Sequence, residues 1–340
     1  MATALKSKPN CSNVSRPSPD IRCSVKVTVS LITYNHAPFI AQAIESVLMQ
    51  QTSFDFELLI GEDDSSDGTR QIVTGYQAKY PARIRLFLND RKNVICVNGK
   101  PTGLWNFANN IRNSHGEYIA LLDGDDYWAS PLKLQKQVDF LEHNRDCALC
   151  FHNVRILDEA DPGCQELHHP NPMRAKYDIE DVLRGNFLHT CSVVFRSRLL
   201  KDLPSWFFKC PMGDWPLHVL NAQHGRIGYL DEVMAVYRKH GQGVWSSQSR
   251  LQILAESIQC ADLIRTGVSP RQGKYLDEAV GNWYKEAIRL CVSGGNHNEA
   301  GKLAATFLRR FPLRRHTPRW RLLNLIIRAR FSNAADNRHN

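Results

Sequence analysis

Three carboxylates stand within four positions at the end of an apolar run. Residues 119–128 read IALLDGDDYW, in which Asp123, Asp125 and Asp126 follow a segment that should be buried. Like charges so close repel one another and resist removal from water, so a cation or solvent must balance them. Carboxylates two positions apart at a strand end can share a hard divalent ion such as Mg²⁺ or Mn²⁺. A solvated Asp-Gly turn with an Asp helix cap is the alternative, and this motif alone leaves both interpretations open.

A second acidic cluster follows another apolar segment. In FELLIGEDDSSDGT, Glu62 and Asp63 come directly after a short strand that should be buried. A carboxylate in this position can accept a nucleobase N–H or bind ribose hydroxyls. The structural alternative is that Ser65 or Asp67 caps the next helix while Gly68 supplies a tight turn.

The segments around these clusters alternate between strand and helix patterns. Alternating or continuous apolar runs predict strands at 25–32, 56–60, 84–88 and 117–122, and helical periodicity lies between them. Further along, the Pro-rich segment 161–172 predicts a loop, and separate strands are expected around Ile227 and Val236. The alternation of strands and helices predicts an α/β fold with a mostly parallel sheet and helices on both faces. Ligands of such sheets bind beyond the carboxyl ends of the strands. We therefore expect the polar ends at 33–35, 62–64 and 123–126 to converge on one crevice.

The two ends of the chain differ from its centre. Residues 1–22 mix Ser, Pro, Asn and Lys without periodicity and predict a disordered lead-in, followed by the α/β domain at 23–249. Residues 250–333 predict a helical extension that ends in a basic amphipathic tail, since 302–335 holds nine Lys or Arg and no Asp or Glu. Such a tail can contact the headgroups of an anionic membrane. A helix packed on the domain and an oligomer contact are the alternatives.

Composition excludes several classes of protein. The basic tail accounts for the formal charge of +9, so the rest of the chain is near neutral and nucleic acid is not an expected partner. The C-x-x-C pair Cys147 and Cys150 lies in an apolar run without further zinc ligands, which favours buried thiols in a reducing compartment. No stretch approaches the ~20 apolar residues of a membrane span. We expect a cytoplasmic protein, either free or held peripherally on the inner face of the membrane.

Four segments, taken together and in order, point to a family. VSLITYNHAPFIAQAIESVLMQQ, FELLIGEDDSSDGT, GEYIALLDGDDYWASPLKLQKQ and MGDWPL resemble the corresponding motifs of inverting family 2 glycosyltransferases, over about residues 24–245. The resemblance implies the GT-A fold, two abutting Rossmann-like halves in one domain. It also implies a nucleotide-diphospho-sugar donor and a divalent cation, Mn²⁺ or Mg²⁺.

The same resemblance implies roles by position. Donor-binding residues would be Thr33, Tyr34, Asn35, Asp63, Asn106, Asp123 and Gly124. Asp63 would contact the base and Asp123 would lie near the ribose. Asp125 and His240 would hold the cation, and Asp214 would be the general base. Asp126 would cap the turn, and with no metal or nucleotide bound the 123–126 loop should be strained and mobile.

The predicted reaction requires these residue types. A carboxylate must take the proton of an acceptor hydroxyl, whose pKa lies far above 7, while a cation balances the leaving diphosphate. We therefore predict sugar transfer, with a UDP-sugar as the expected donor, to a surface polysaccharide or lipid-linked oligosaccharide. The alternatives are a helix N-cap for Asp214, a loop position for His240, and a non-catalytic nucleotide-sugar-binding relative for the protein. A nucleotidyltransferase would need an early Gly-rich loop or basic residue, which ITYNHAPFI lacks.

Overall fold

The computed structural model describes residues 25–161, 163, 165–200 and 202–311. The predicted disordered lead-in at 1–22 and the part of the basic tail beyond residue 311 lie outside the described residues. Among the helices that are described, none is both long enough and apolar enough to cross a bilayer.

The four strands predicted in the first half of the chain form with helices between them. The strands of this half are β1 (Val25–Thr33), β2 (Asp55–Glu62), β3 (Ile84–Leu88), β4 (Ile95–Val97), β5 (Lys100–Thr102), β6 (Tyr118–Asp123) and β7 (Tyr127–Trp128), of which the three short strands β4, β5 and β7 were not predicted. Its helices are α1 (Ile40–Leu48), α2 (Thr69–Lys79), α3 (Leu104–Arg112) and α4 (Lys133–His143). Helix α1 illustrates the helical periodicity of the apolar residues. Its Ile40, Ile44 and Val47 are spaced about one turn apart, lie on one face of the helix and are fully buried.

The second half begins with strands and ends with helices. Its strands are β8 (Cys147–Asp158), β9 (Gln165–Leu167), β10 (Lys176–Tyr177), β11 (Val194–Arg196) and β12 (Arg226–Lys239). Its helices are α5 (Ile179–Leu183), α6 (Asp214–Ala222), α7 (Arg250–Arg265), α8 (Pro270–Ser293) and α9 (His297–Arg310).

One large sheet organises these elements. Its strands run in the order β10-β12-β8-β11-β6-β1-β2-β3, with β7 also on β12 and β9 on β8. The pairs β3-β2, β2-β1, β1-β6 and β8-β12 are parallel, whereas the three-residue strand β11 lies antiparallel between β6 and β8. The predicted mostly parallel sheet is confirmed. Its carboxyl-end edge is where the acidic clusters fall.

Two local expectations were wrong. The segment 161–172, expected to be loop throughout, contains strand β9, which pairs with β8. Segments around Ile227 and Val236, expected to be two strands, form the single strand β12. Register shifts between Leu230 and Ala235 absorb the exposed polar residues there, so pairing with β8 continues past them.

Helices cover both faces of the sheet. Along β6, Ile119 and Leu121 enter one hydrophobic core, and Ala120 and Leu122 enter the other. Helices α1, α2 and α4 pack into the second core, and α3, α5, α6 and α7–α9 into the first. The predicted start of the extension coincides with the beginning of α7, which Ser249 caps. However, α7–α9 share the core of the α/β domain rather than forming one of their own.

Candidate active site

The carboxyl ends of β1, β2 and β6 open on a single cleft of about 800 Å³. This volume lies in the upper range of small-ligand sites. Seven of the predicted residues that carry side-chain chemistry line it: Thr33, Tyr34, Asp63, Asn106, Asp123, Asp125 and Asp214. The strand ends therefore converge as the α/β topology requires.

Gly124 allows the β6 and β1 ends to approach closely. Its N–H donates to the Ile32 carbonyl at 2.9 Å, which continues the β1–β6 ladder past Asp123. A Cβ on this glycine would lie 2.5 Å from Thr33 Oγ1 and 2.8 Å from His36 Nδ1. Both distances are too short for non-bonded contact, so only glycine fits between the acidic loop and the end of β1.

Asp125 is paired with two histidines. His240 Nε2 lies 3.1 Å from Asp125 Oδ2, and His36 Nε2 lies 3.7 Å from the same oxygen. Burial is the largest influence on Asp125 and opposes its ionisation, but the hydrogen bond with His240 and the charges of His36 and His240 together outweigh burial and lower the pKa of this carboxyl. Two imidazole rings thus face the acidic loop, and burial lowers the pKa of one of them, His36.

This pair fits a divalent cation as a partial ligand set. Two adjacent ligands of an octahedral ion with bonds of about 2.1 Å lie roughly 3 Å apart, close to the Asp125–His240 separation. Across the part of the chain that is described, no group of three or more His, Cys, Asp or Glu could hold a metal ion. The remaining ligands would have to come from water or from a bound donor.

Asp126 does not act as the predicted turn cap. Its side chain is almost fully buried and accepts the backbone N–H of Arg238 at 2.9 Å, which ties the loop to β12. The predicted strain in this loop was also wrong. Among described residues other than glycine, left-handed backbone occurs at Asn35, Asp64 and Asn98, outside the loop. The hydrogen bond to β12 satisfies the carboxylate, so the backbone needs no unusual conformation.

The end of the cleft at Tyr34 and Asp63 contains an arginine that the sequence motifs did not single out. The Arg91 guanidinium lies 4.0 Å from the centre of the Tyr34 ring, and its Nη1 lies 3.4 Å from Asp63 Oδ2. Burial raises the pKa of Asp63, and the charge of Arg91 partly opposes this rise. Arg91 follows β3 in the segment NDRKN, a fourth polar strand end at the same edge of the sheet. Its position directly after a predicted strand was the signal in the sequence that could have identified Arg91 as a cleft residue.

The side chains of Glu62 and Asn35 hold the loops beside the cleft in place through hydrogen bonds. Glu62 is fully buried, pairs with Arg70 and accepts the Ser65 N–H at 2.6 Å. Asn35 lies outside the cleft lining, and its Oδ1 accepts the Ser66 N–H at 2.9 Å. The neighbouring loop thus engages the side-chain oxygen of Asn35, and contact between Asn35 and the donor stays a prediction.

Asn106 reaches the cleft wall, but its amide is already engaged. Its Nδ2 donates to the Gly61 carbonyl at 2.7 Å, and its Oδ1 accepts from Asn89 Nδ2 at 2.9 Å. These bonds join the ends of β2 and β3. A direct contact between Asn106 and a nucleotide stays a prediction.

Asp214 stands at the first turn of α6, on the other side of the cleft. Gly213, not Asp214, occupies the N-cap position and no side chain caps this helix, so the N-cap alternative for Asp214 was wrong. Asn186 Nδ2 donates to Asp214 Oδ2 at 2.7 Å. Burial raises the pKa of Asp214, while the helix N–H groups and Asn186 partly offset that rise. This carboxyl is therefore a stronger base than an exposed aspartate.

Asp123 links the two acidic sides of the site. Burial, with added repulsion from Asp125 and Asp214, raises the pKa of Asp123 to about 8. The repulsion shows that Asp123 and Asp214 share one electrostatic environment although 91 positions separate them in the sequence. Segment 186–190 connects them, since Asn186 contacts Asp214 and Thr190 hydrogen-bonds to Asp123.

Comparison with known proteins identifies the family. The model of the family described as "Glycosyl transferase family 2" matches residues 28–203, just over half of the chain. The chain belongs to this family. As a family 2 glycosyltransferase, it carries β1, β2, β6 and their acidic ends inside the matched segment, whereas Asp214 and α7–α9 lie beyond it.

Two relatives show how far the sequence similarity extends. An uncharacterised protein of Mycobacterium tuberculosis is 37% identical over 222 residues, covering 65% of this chain and 61% of the relative. This glycosyltransferase therefore spans about three fifths of the Mycobacterium relative. The putative teichuronic acid biosynthesis glycosyltransferase TuaG of Bacillus subtilis is 30% identical over 196 residues, covering 53% of this chain and 71% of TuaG.

Solved structures share the fold at low sequence identity. S. aureus TarS in complex with UDP superposes with a TM-score of 0.57 at 16% identity, covering 85% of this chain and 81% of TarS. The mannosyltransferase PcManGT of Pyrobaculum calidifontis, in complex with GDP-Man and Mn²⁺, gives a TM-score of 0.52 at 18% identity. That match covers 96% of this chain and 91% of the other. These likenesses confirm the GT-A-like fold that the sequence motifs predicted.

Proposed function

We propose that this glycosyltransferase moves a sugar, with inversion at the anomeric carbon, from a nucleotide-diphosphate donor to an acceptor hydroxyl. The observation that carries the proposal is the shared cleft, in which Asp214 stands across from the strand-end carboxylates Asp123 and Asp125. A base on one side and a donor site on the other are what an in-line displacement requires.

Asp214 is the base of this mechanism. Its carboxylate accepts the proton of the acceptor hydroxyl as the hydroxyl oxygen forms a bond to the anomeric carbon. The bond from that carbon to the diphosphate oxygen breaks on the opposite face, and the nucleoside diphosphate leaves with the electron pair. Asn186 and the first turn of α6 orient the carboxylate, and its raised pKa favours proton uptake.

Asp125 and His240 are the residues that would hold a divalent cation. When bound, a cation supplies positive charge to the diphosphate of the donor. The O and N donor set and its 3.1 Å spacing support Mn²⁺ or Mg²⁺. The complex of PcManGT with GDP-Man and Mn²⁺, a protein of similar fold, agrees with this assignment.

Tyr34, Arg91 and Asp63 form the end that would receive the nucleotide base. The buried Asp63 carboxylate can accept a ring N–H, and Tyr34, which Arg91 covers, offers an aromatic ring beside it. UDP bound to TarS supports a uridine nucleotide as the donor. The similarity to TuaG, a putative teichuronic acid biosynthesis enzyme, supports a surface polysaccharide or a lipid-linked precursor as the acceptor.

Donor turnover tests the proposal. The full chain is incubated with Mn²⁺ and, separately, UDP-glucose, UDP-N-acetylglucosamine and GDP-mannose, and released nucleoside diphosphate is measured. Asp214→Asn should abolish release while leaving the nucleotide-induced rise in melting temperature unchanged. Asp231→Asn, an exposed carboxylate on β12, is the matched control and should behave as the wild type. Nucleotide binding without turnover in the wild type would favour a non-catalytic binder, and turnover by Asp214→Asn would exclude this base.

A further inference from the structure

The cleft extends past Asp214 to a wall built by the C-terminal helices. Arg250 and Glu256 of α7, Trp283 of α8 and Trp245 of the preceding loop all line it. None of these residues lies in the segment that matches the family model, which ends at residue 203. Apart from His240, the residues of the proposed donor end lie in the family segment, whereas this wall is built from the region that follows it.

The wall differs chemically from the donor end. The donor end presents carboxylates and histidines, whereas this wall presents two half-buried indoles, Trp245 and Trp283. Glu256, whose side chain is 12% exposed, lies among them and accepts hydrogen bonds from Lys100 Nζ at 3.0 Å and Gln248 Nε2 at 3.1 Å. An aromatic face beside carboxylate and amide groups suits a sugar ring, which has an apolar C–H face and hydroxyls at its edge.

Trp283 is held rigidly next to the proposed base. Its ring packs edge-to-face on Trp215, with centroids 5.6 Å apart and an interplanar angle of 81°. Trp215 directly follows Asp214, is almost fully buried and donates its Nε1–H to the Val182 carbonyl at 2.7 Å. Only the Trp215 side chain therefore separates a ring stacked on Trp283 from the start of α6, which carries the proposed base.

Ion pairs at the rim fix the helices around this indole. Arg250 Nε lies 2.7 Å from Glu286 Oε1, joining α7 to α8. Arg184 Nε lies 3.1 Å from Glu278 Oε2, joining α5 to α8. Exposed pairs of this kind add little stability, but they restrict the orientation of α8. The wall is therefore formed before any ligand binds.

We infer that α7 and α8 build the acceptor subsite, with Trp283 as the surface on which the acceptor sugar ring stacks. The ligand class is a neutral pyranoside within a glycan. The inference rests on the proposed function, because transfer defines which ligand is the acceptor.

Glycoside binding tests the inference without requiring turnover. Methyl glycosides of glucose, galactose, mannose and N-acetylglucosamine are added to the full chain with UDP and the diamagnetic ion Mg²⁺, and saturation transfer to ring protons is measured by NMR. The wild type should bind at least one glycoside, and Trp283→Ala should lower its affinity about tenfold or more, as for an aromatic anchor. Trp283→Phe should retain part of the binding. The UDP-induced rise in melting temperature should be the same in all variants.

Trp206→Ala is the matched control. Trp206 is also half-buried and packs near the end of α7 at Gly267, but it does not line the cleft. Glycoside binding that survives in Trp283→Ala, falls equally in Trp206→Ala or is absent from the wild type would overturn the inference. Because binding is measured without catalysis, these outcomes are distinct from a failure of donor turnover in the Asp214 experiment.

Discussion

Replacing Asn186 tests how the proposed base is tuned. The Asn186 Nδ2 donates to Asp214 Oδ2 at 2.7 Å, while its Oδ1 accepts the Leu188 N–H at 3.2 Å. His218, which is fully buried, lies 3.2 Å from the same Oδ1 through its Nδ1. Because a backbone N–H can only donate, the Leu188 contact fixes the amide so that its NH₂ faces the carboxylate.

The expected effect of replacing Asn186 on the pKa of Asp214 follows from this one hydrogen bond. A bond to a charged group contributes about 1.5–3 kcal/mol, and one pKa unit corresponds to about 1.4 kcal/mol. Asn186 stabilises the ionised form of Asp214, so its removal should raise the pKa of Asp214 further. Since Asp214 is partly exposed, water would replace some of the bond, and we expect a rise of about one unit in Asn186→Ala. Asn186→Asp should give a larger rise, because it adds a second carboxyl beside the first.

The assay is the pH dependence of kcat/KM for sugar transfer. The proposed base must be ionised, so its raised pKa should move the acidic limb of the profile about one unit upward in Asn186→Ala, with activity recovering at high pH. Asn282→Ala, an exposed amide on α8, is the control and should leave the profile unchanged. A loss of activity that is uniform across pH, or an acidic limb that does not move, would refute the role of Asn186.

Three further predictions concern other parts of the site and the core. Gly124→Ala should melt at a lower temperature and bind UDP weakly, because the new Cβ would lie 2.5 Å from Thr33 Oγ1 and overpacking costs about 1–3 kcal/mol. Arg91→Ala should weaken the affinity for UDP more than the control Arg112→Ala does, because Arg91 covers the Tyr34 ring. Isothermal titration calorimetry measures both affinities. Burial lowers the pKa of Lys133 to about 7, so the unfolded chain binds more protons between about pH 7 and 10.5, and this residue contributes stability that increases with pH across that window. Lys133→Met should flatten that dependence in urea unfolding, and an unchanged slope would contradict the assignment.

Sequence patterns were sufficient to predict β1, β2, β3 and β6, the helices between them and the location of the acidic strand ends, but not the short hairpin of β4 and β5. Apolar alternation is local, and parallel β-α units force consecutive carboxyl ends to one edge of the sheet. Sequence patterns were not sufficient to predict β12 as one strand, because the polar residues Asp231 and Glu232 interrupt its apolar pattern. Pairing with β8 continues there through register shifts, a long-range effect that no local window contains.

The sequence by itself determined which chemistry the chain carries: a strand-end acidic cluster, a second one after β2, and a distant MGDW segment that resembles a base motif. Only the tertiary structure decided which side chains face the cleft. Glu62 and Asp63 are consecutive and equally acidic, yet Glu62 pairs with Arg70 in the interior and Asp63 reaches the cleft. Successive side chains of a strand point to opposite sides, and the partner available on each side comes from a different element.

Folding also brought in partners from far along the chain. Asn186 meets Asp214 across 28 positions, and His240 meets Asp125 across 115. Trp283 reaches the cleft only because α8 packs in the same core as α6. Spacing in the sequence carries no information about such contacts, because they depend on how helices and strands pack after the local patterns have formed. The residues of the proposed donor site were therefore largely predictable from sequence motifs, whereas those of the proposed acceptor subsite were not.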